Sequence, residues 1–177
     1  MTLITALNAT AEPTVTSALI EFLQQIFTGN NLAILGAALA TFLTGIGSAK
    51  GVNLVAKATA GLMTEDPSKY GKSMLLQALP MTQGIYGLVT AFMILVTSGI
   101  MGGTANLTVG QGAAYLFSAL PIAISGLYSA IKQGEVAAAG VAVLAKRPEA
   151  VGKAVISASF VELYAILGLL ISLLLVL

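Results

Sequence analysis

Four long apolar stretches, at about residues 31–62, 73–101, 112–144 and 154–177, dominate the chain. Each exceeds the roughly 20 residues that a helix needs to cross a bilayer core of about 30 Å. Polar, turn-forming segments separate them: Thr64-Glu65-Asp66-Pro67-Ser68, the glycine-rich stretch Gly99 to Gly112, and Lys146-Arg147-Pro148-Glu149. The pattern predicts an all-α membrane protein of four transmembrane helices. Lys50 and Lys57 in the first stretch, and Lys132 and Glu135 in the third, place the last turns of those helices beyond the hydrocarbon.

Composition supports the membrane class, since 57% of the 177 residues are hydrophobic and 8% are charged. With no cysteine and no histidine there is no disulfide, no thiol nucleophile and no zinc or haem site of the usual kind. The net charge of +1, without a basic cluster interleaved with aromatics, excludes a nucleic-acid surface. All eight basic residues (Lys50, Lys57, Lys69, Lys72, Lys132, Lys146, Arg147, Lys153) flank or precede the first and third connections. By the positive-inside rule those connections are cytoplasmic and both termini are extracytoplasmic.

A shift of the sequence against itself by 81 positions superposes Gly45 on Gly126, Ser48-Ala49 on Ser129-Ala130 and Pro67 on Pro148. It also places Gly71-Lys72 on Gly152-Lys153 and Gly87-Leu88 on Gly168-Leu169. The chain reads as a duplicated helical hairpin, with a first hairpin over 30–103 and a second over 111–177. The same shift sets Met81 against Glu162, so one hairpin carries an acid where the other is neutral.

Glu162 is the only charged residue between 154 and 177 and falls near mid-membrane. A charge at that depth costs about 2.5–3.5 kcal/mol on insertion scales, so an intramembrane acid normally faces protein and pairs with a cation or a proton. In an antiparallel hairpin, residues equally far from the turn share a level, and Gln133 before Pro148 matches Glu162 after it. By the repeat, Pro80, Thr82 and Gln83 belong to the same level. Leu79, Thr82, Gln83 and Tyr86 share one helical face, and Pro80 loosens the nearby ladder, which offers a backbone carbonyl. One carboxylate with neutral oxygen donors balances a monovalent ion and favours Na⁺. The bland alternative is that Thr82, Gln83 and Gln133 are interhelical hydrogen-bond glue.

Small residues recur at near-helical spacing in the first helix (Ala33, Ala37, Ala40, Thr44, Gly47, Gly51). They recur again in the third (Ala119, Ala123, Gly126, Ala130, Gly134, Ala137), while the second and fourth helices are bulkier. A wedge of that shape tiles into a ring. Val15, Ala18, Leu19, Phe22, Leu23, Ile26 and Phe27 form a further apolar stripe within an N-terminal extension over 1–29. It reads as an amphipathic helix at the outer interface or in the lumen of such a ring. Asn8-Ala9-Thr10 and Asn106-Leu107-Thr108 fit a glycosylation pattern and are read as chance.

From about residue 30 to the end, the chain resembles the proteolipid rotor-ring subunits of bacterial V-type rotary ATPases. The resemblance rests on Gly45 to Gly51, Leu79 to Tyr86, Gln133-Gly134 with Val136 to Gly140, and Val161 to Gly168. It implies a ring of identical copies in a prokaryotic cell membrane. The ring turns against a membrane stator subunit and meets soluble central-stalk subunits at the 64–72 and 146–153 loops. The protomer is not itself an enzyme, and no phosphate-cradling Gly-rich loop ending in Gly-Lys-Ser/Thr is present. The resemblance further implies that Na⁺ is held by the Leu79 carbonyl, Thr82, Gln83, Gln133 and Glu162, with Tyr86 donating to the carboxylate. Three other readings stand at this point: the same rotor coupled to H⁺, a free-standing cation channel or transporter, and a purely structural proteolipid ring.

Overall fold

The computed structural model describes residues 15–177, and the Asn8 pattern lies outside the described residues. The described chain runs α1 (Val15–Ile26), α2 (Gly29–Glu65), α3 (Tyr70–Ala78), α4 (Thr82–Thr97), α5 (Val109–Lys146) and α6 (Val151–Val176). Short 3-10 turns at Pro67–Lys69, Leu79–Met81 and Pro148–Ala150 join α2 to α3, α3 to α4 and α5 to α6. Among the described residues four spans are long and apolar enough to cross a membrane: Gly29–Glu65, Pro67–Thr97, Val109–Lys146 and Pro148–Val176. The second is α3 and α4 joined through the turn that contains Pro80.

Two boundaries differ from the apolar pattern. α4 stops at Thr97 rather than near 101, because Gly99 takes a left-handed conformation at φ 75° and turns the chain away. α5 begins at Val109 rather than 112. The Thr108 hydroxyl accepts from the Gln111 N–H at 3.3 Å and the Gln111 side chain accepts from the Thr108 N–H at 2.9 Å, a capping box that draws Gly110 and Gly112 into the helix.

α2 and α5 form the most extensive contact; α4 packs on α2, α6 packs on α5, and α4 also reaches α5 and α6. The two small-residue stripes are the α2–α5 seam, and all twelve of their residues are buried. A Cβ on Gly47 would lie 2.6 Å from the Leu127 carbonyl, and one on Gly36 would lie 2.8 Å from the Leu116 Cα. Glycine is needed there for the backbones to meet.

Two apolar clusters fill the bundle. Ala33, Ala37, Ala40, Ala91, Ile94, Ala119, Ile122 and Val176 pack toward one end. Val55, Leu62, Leu76, Ala137, Val141, Leu144, Ala154 and Ala158 pack toward the other. Between them Thr44, Ser48, Gln83, Ser129 and Gln133 are buried in a polar layer. Apolar packing on both sides keeps this layer dry and strengthens its electrostatics.

α1 has no buried residue, so its apolar stripe is open along its length. The Asn31 amide fixes its end, donating to the Gln25 and Ile26 carbonyls at 3.3 and 2.9 Å. Large apolar side chains such as Phe117, Tyr128, Phe160, Leu167 and Leu174 are exposed on α5 and α6, as expected for a surface that meets lipid or a neighbouring copy.

At the opposite end of the spans, Lys69 ties the two turns together: its ammonium donates to the Ala145 carbonyl at 2.8 Å and pairs with Asp66 at 3.2 Å. Ser68 donates to Asp66 through its hydroxyl at 2.5 Å and its N–H at 3.1 Å. These bonds, Ser68 first and Lys69 next, hold the Asp66 carboxyl below its ordinary value of 3.8. A depressed carboxylate contributes order above its ordinary value and loses it as pH falls through its own lower value. Protection of the Ser68 amide from hydrogen exchange is expected to fall on acidification below pH 4. Asp66→Asn protein is expected to show no such titration step, and a step of unchanged size in that variant would refute the assignment.

Candidate ion-binding site

The site begins with a helix break that the sequence imposes. Pro80 has no N–H, and the chain tightens into the 3-10 turn Leu79–Met81 before α4 starts at Thr82. Pro80 is buried against α2 at Gly51, where a Cβ would approach the Pro80 ring at 2.7 Å. The first turn of α4 is further held by α2, whose Ser48 hydroxyl accepts the Gly84 N–H at 2.9 Å. A helix start at membrane depth needs such partners, because no water is present to satisfy its donors.

From this break a chain of hydrogen bonds runs to the acid. The Thr82 hydroxyl shares its one proton between two acceptors, the Leu79 carbonyl at 3.2 Å and Gln83 Oε1 at 3.4 Å. Gln83 Nε2 donates to Gln133 Oε1 at 2.6 Å, and Gln133 Nε2 donates to Glu162 Oε2 at 3.3 Å. Tyr86, one turn beyond Thr82 on α4, donates its hydroxyl to Glu162 Oε1 at 2.6 Å. That length belongs to a phenol donating to a carboxylate. Gln83 and Gln133 are fully buried, while Glu162 sits half-buried at the edge of the layer.

All six residues singled out from the sequence (Leu79, Thr82, Gln83, Tyr86, Gln133, Glu162) therefore lie in one connected group built from α4, its preceding turn, α5 and α6. Met81 and Leu163 flank the group, both about half exposed, and give it no polar atom. Sequence reasoning missed two participants. Ser48 and Ser129 marked the repeat but received no role, although Ser129 precedes Gln133 by one turn and so shares its face. The Ser129 hydroxyl donates to the Val161 carbonyl at 2.9 Å and accepts from Gln83 Nε2 at 3.3 Å.

The sequence profile of the ATP synthase C-subunit matches the chain twice, at residues 35–94 and 116–175, once on each hairpin. The chain belongs to the ATP synthase C-subunit family. Members of this family assemble as rings of identical subunits that form the membrane rotor of ATPases, so this protein is a rotor-ring proteolipid and not a catalytic component. Within the family it is similar to the V-type sodium ATPase subunit K of Enterococcus hirae. The two are 50% identical over 149 residues, which cover 84% of this chain and 92% of that one. It is also similar to the A-type ATP synthase subunit K of Methanocaldococcus jannaschii, at 38% identity over 144 residues, covering 81% of this chain and 61% of that one. The double match agrees with the 81-residue repeat read from the sequence, and the four apolar spans agree with an integral membrane protein.

Proposed function

We propose that each copy of this rotor protein binds one Na⁺ at Glu162 and carries it round. The Leu79 carbonyl, Thr82 Oγ1, Gln83 Oε1 and Gln133 Oε1 complete the oxygen cage, and Tyr86 orients the carboxylate. The observation that carries this reading is the unbroken hydrogen-bonded chain from the Leu79 carbonyl to the carboxylate of Glu162. A proton site needs only the acid. A dry row of neutral oxygen donors ending at one carboxylate suits a monovalent hard cation, and the complex is then electrically neutral. The sodium-ATPase relative supports the same cargo.

Neutrality is the mechanical requirement. A loaded protomer faces lipid without an uncompensated charge, whereas an ionised empty Glu162 does not, so rotation is permitted in the loaded state and the ion leaves only where the stator supplies a path or a cation of its own. The first match region falls within residues 30–103 and the second within 111–177, which we take as the two working hairpins, with 1–29 as an extension. The 64–72 and 146–153 loops, held together by Lys69, are the proposed seat of the soluble stalk. The distribution of Lys and Arg supports a cytoplasmic side for these loops and an extracytoplasmic side for both termini, and the bacterial and archaeal relatives support a prokaryotic cell membrane.

The test is carbodiimide labelling of Glu162 in purified ring at fixed pH. Half-maximal protection by millimolar Na⁺ but not K⁺ is expected. Labelling that responds to pH alone would replace Na⁺ by H⁺ and leave the two glutamines as helix contacts.

A further inference from the structure

The Ser129 hydroxyl has one proton, and it is directed at the Val161 carbonyl. Its oxygen can then only accept, so the Gln83 atom beside it must be the amide nitrogen. A second constraint comes from the other end of the chain. An ionised Glu162 only accepts, so Gln133 turns its nitrogen to the acid and its oxygen to Gln83, which again must present nitrogen. Both constraints leave Gln83 Oε1 facing the Thr82 hydroxyl, which also reaches the Leu79 carbonyl.

The Ser129 constraint is anchored on a backbone atom, the Val161 carbonyl, and is independent of the Gln133 and Glu162 side chains. Ser129 and Gln83 are nearly or completely shielded from solvent, at 4% and 0% exposure, so no water can substitute for the bond.

We propose that Ser129 is a positioning residue for the ion site. It fixes the orientation of the Gln83 amide so that Oε1 stays available to the cation. This rests on the reading of Glu162, Gln83 and Gln133 as Na⁺ ligands. Ser129 does not touch the ion; it acts through Gln83.

The experiment uses intact rings and the same carbodiimide reaction, titrated with NaCl for unmodified, Ser129→Ala and Ser129→Thr protein, alongside the pH profile of labelling in Na⁺-free buffer. Ser129→Ala is expected to raise the half-protecting Na⁺ concentration about tenfold, the scale of one lost buried hydrogen bond. Its Na⁺-free pH profile is expected to stay in place. Ser129→Thr, which keeps the hydroxyl, is expected to protect within about threefold of the unmodified ring. Unchanged Na⁺ protection in the alanine variant would overturn the proposal. So would a Na⁺-free pH profile that moves together with the protection curve, which marks a general loosening of the α5–α6 contact, or a threonine variant as impaired as alanine. Absence of Na⁺ protection in the unmodified ring would instead overturn the sodium-site reading itself, and this proposal with it.

Discussion

Replacing Glu162 by Gln is expected to leave the ring assembled and to abolish ion transport. The amide has nearly the size of the carboxyl and keeps an oxygen for the Tyr86 hydroxyl, so the contact between α4 and α6 survives. What disappears is the single negative charge of the polar layer. A cation then enters a site of neutral dipoles at membrane depth, uncompensated, at a penalty of about 2.5–3.5 kcal/mol or more. Binding is expected to weaken by a factor of roughly 100 or more. The measurement is ATP-driven ²²Na⁺ uptake into vesicles holding the whole complex, with ring yield followed in parallel. Uptake near the unmodified rate from fully substituted rings would remove Glu162 from the mechanism.

Gly134→Val is expected to have the opposite signature, a ring that does not form. A side chain at position 134 meets the backbone of Gly51 across the α2–α5 seam, and there is no flexible group there to yield. Forcing the two inner helices apart costs about 3 kcal/mol or more by the usual scale for overpacking against backbone, and it shifts the adjacent Gln133 away from the layer. Gly71→Ala is the matched control. Nothing beyond its own helical turn lies within 4 Å of a Cβ there, and alanine is the better helix former at position 71 of α3. The yield of detergent-resistant ring after identical expression distinguishes them, with at least a tenfold loss expected for Gly134→Val and none for Gly71→Ala. Equal yields would mean that the seam tolerates separation.

Much of this architecture was legible because a membrane simplifies the sequence code. A span must be continuous and apolar, so its length could be counted. Every small residue in the two stripes proved buried, since close helix approach leaves few alternatives to Ala and Gly. The level of the site followed from counting outward from Pro67 and Pro148, and the contact of Gln133 with Glu162 agrees with that count. Hydropathy was silent where hydrogen bonds decide. The start of α5 is set by Thr108 and Gln111, which an apolar scan discards as loop. The work of Ser48 and Ser129 depends on which partner each hydroxyl faces across helices, and spacing along one helix carries no such information. The bond from Lys69 to the Ala145 carbonyl joins positions 76 residues apart and has no counterpart at the repeat-related Ala150.

Met81 stands where the repeat places Glu162, and that vacancy is a gear ratio. For a rotor of given circumference, four helices per carboxylate instead of two halve the number of ions moved in one revolution. The torque applied over that revolution is then divided among half as many passengers. Each can be pushed against about twice the electrochemical difference, with every 100 mV of it costing about 2.3 kcal/mol per charge. With one ion per Glu162, as proposed above, such a rotor moves less cargo per turn and balances a steeper gradient.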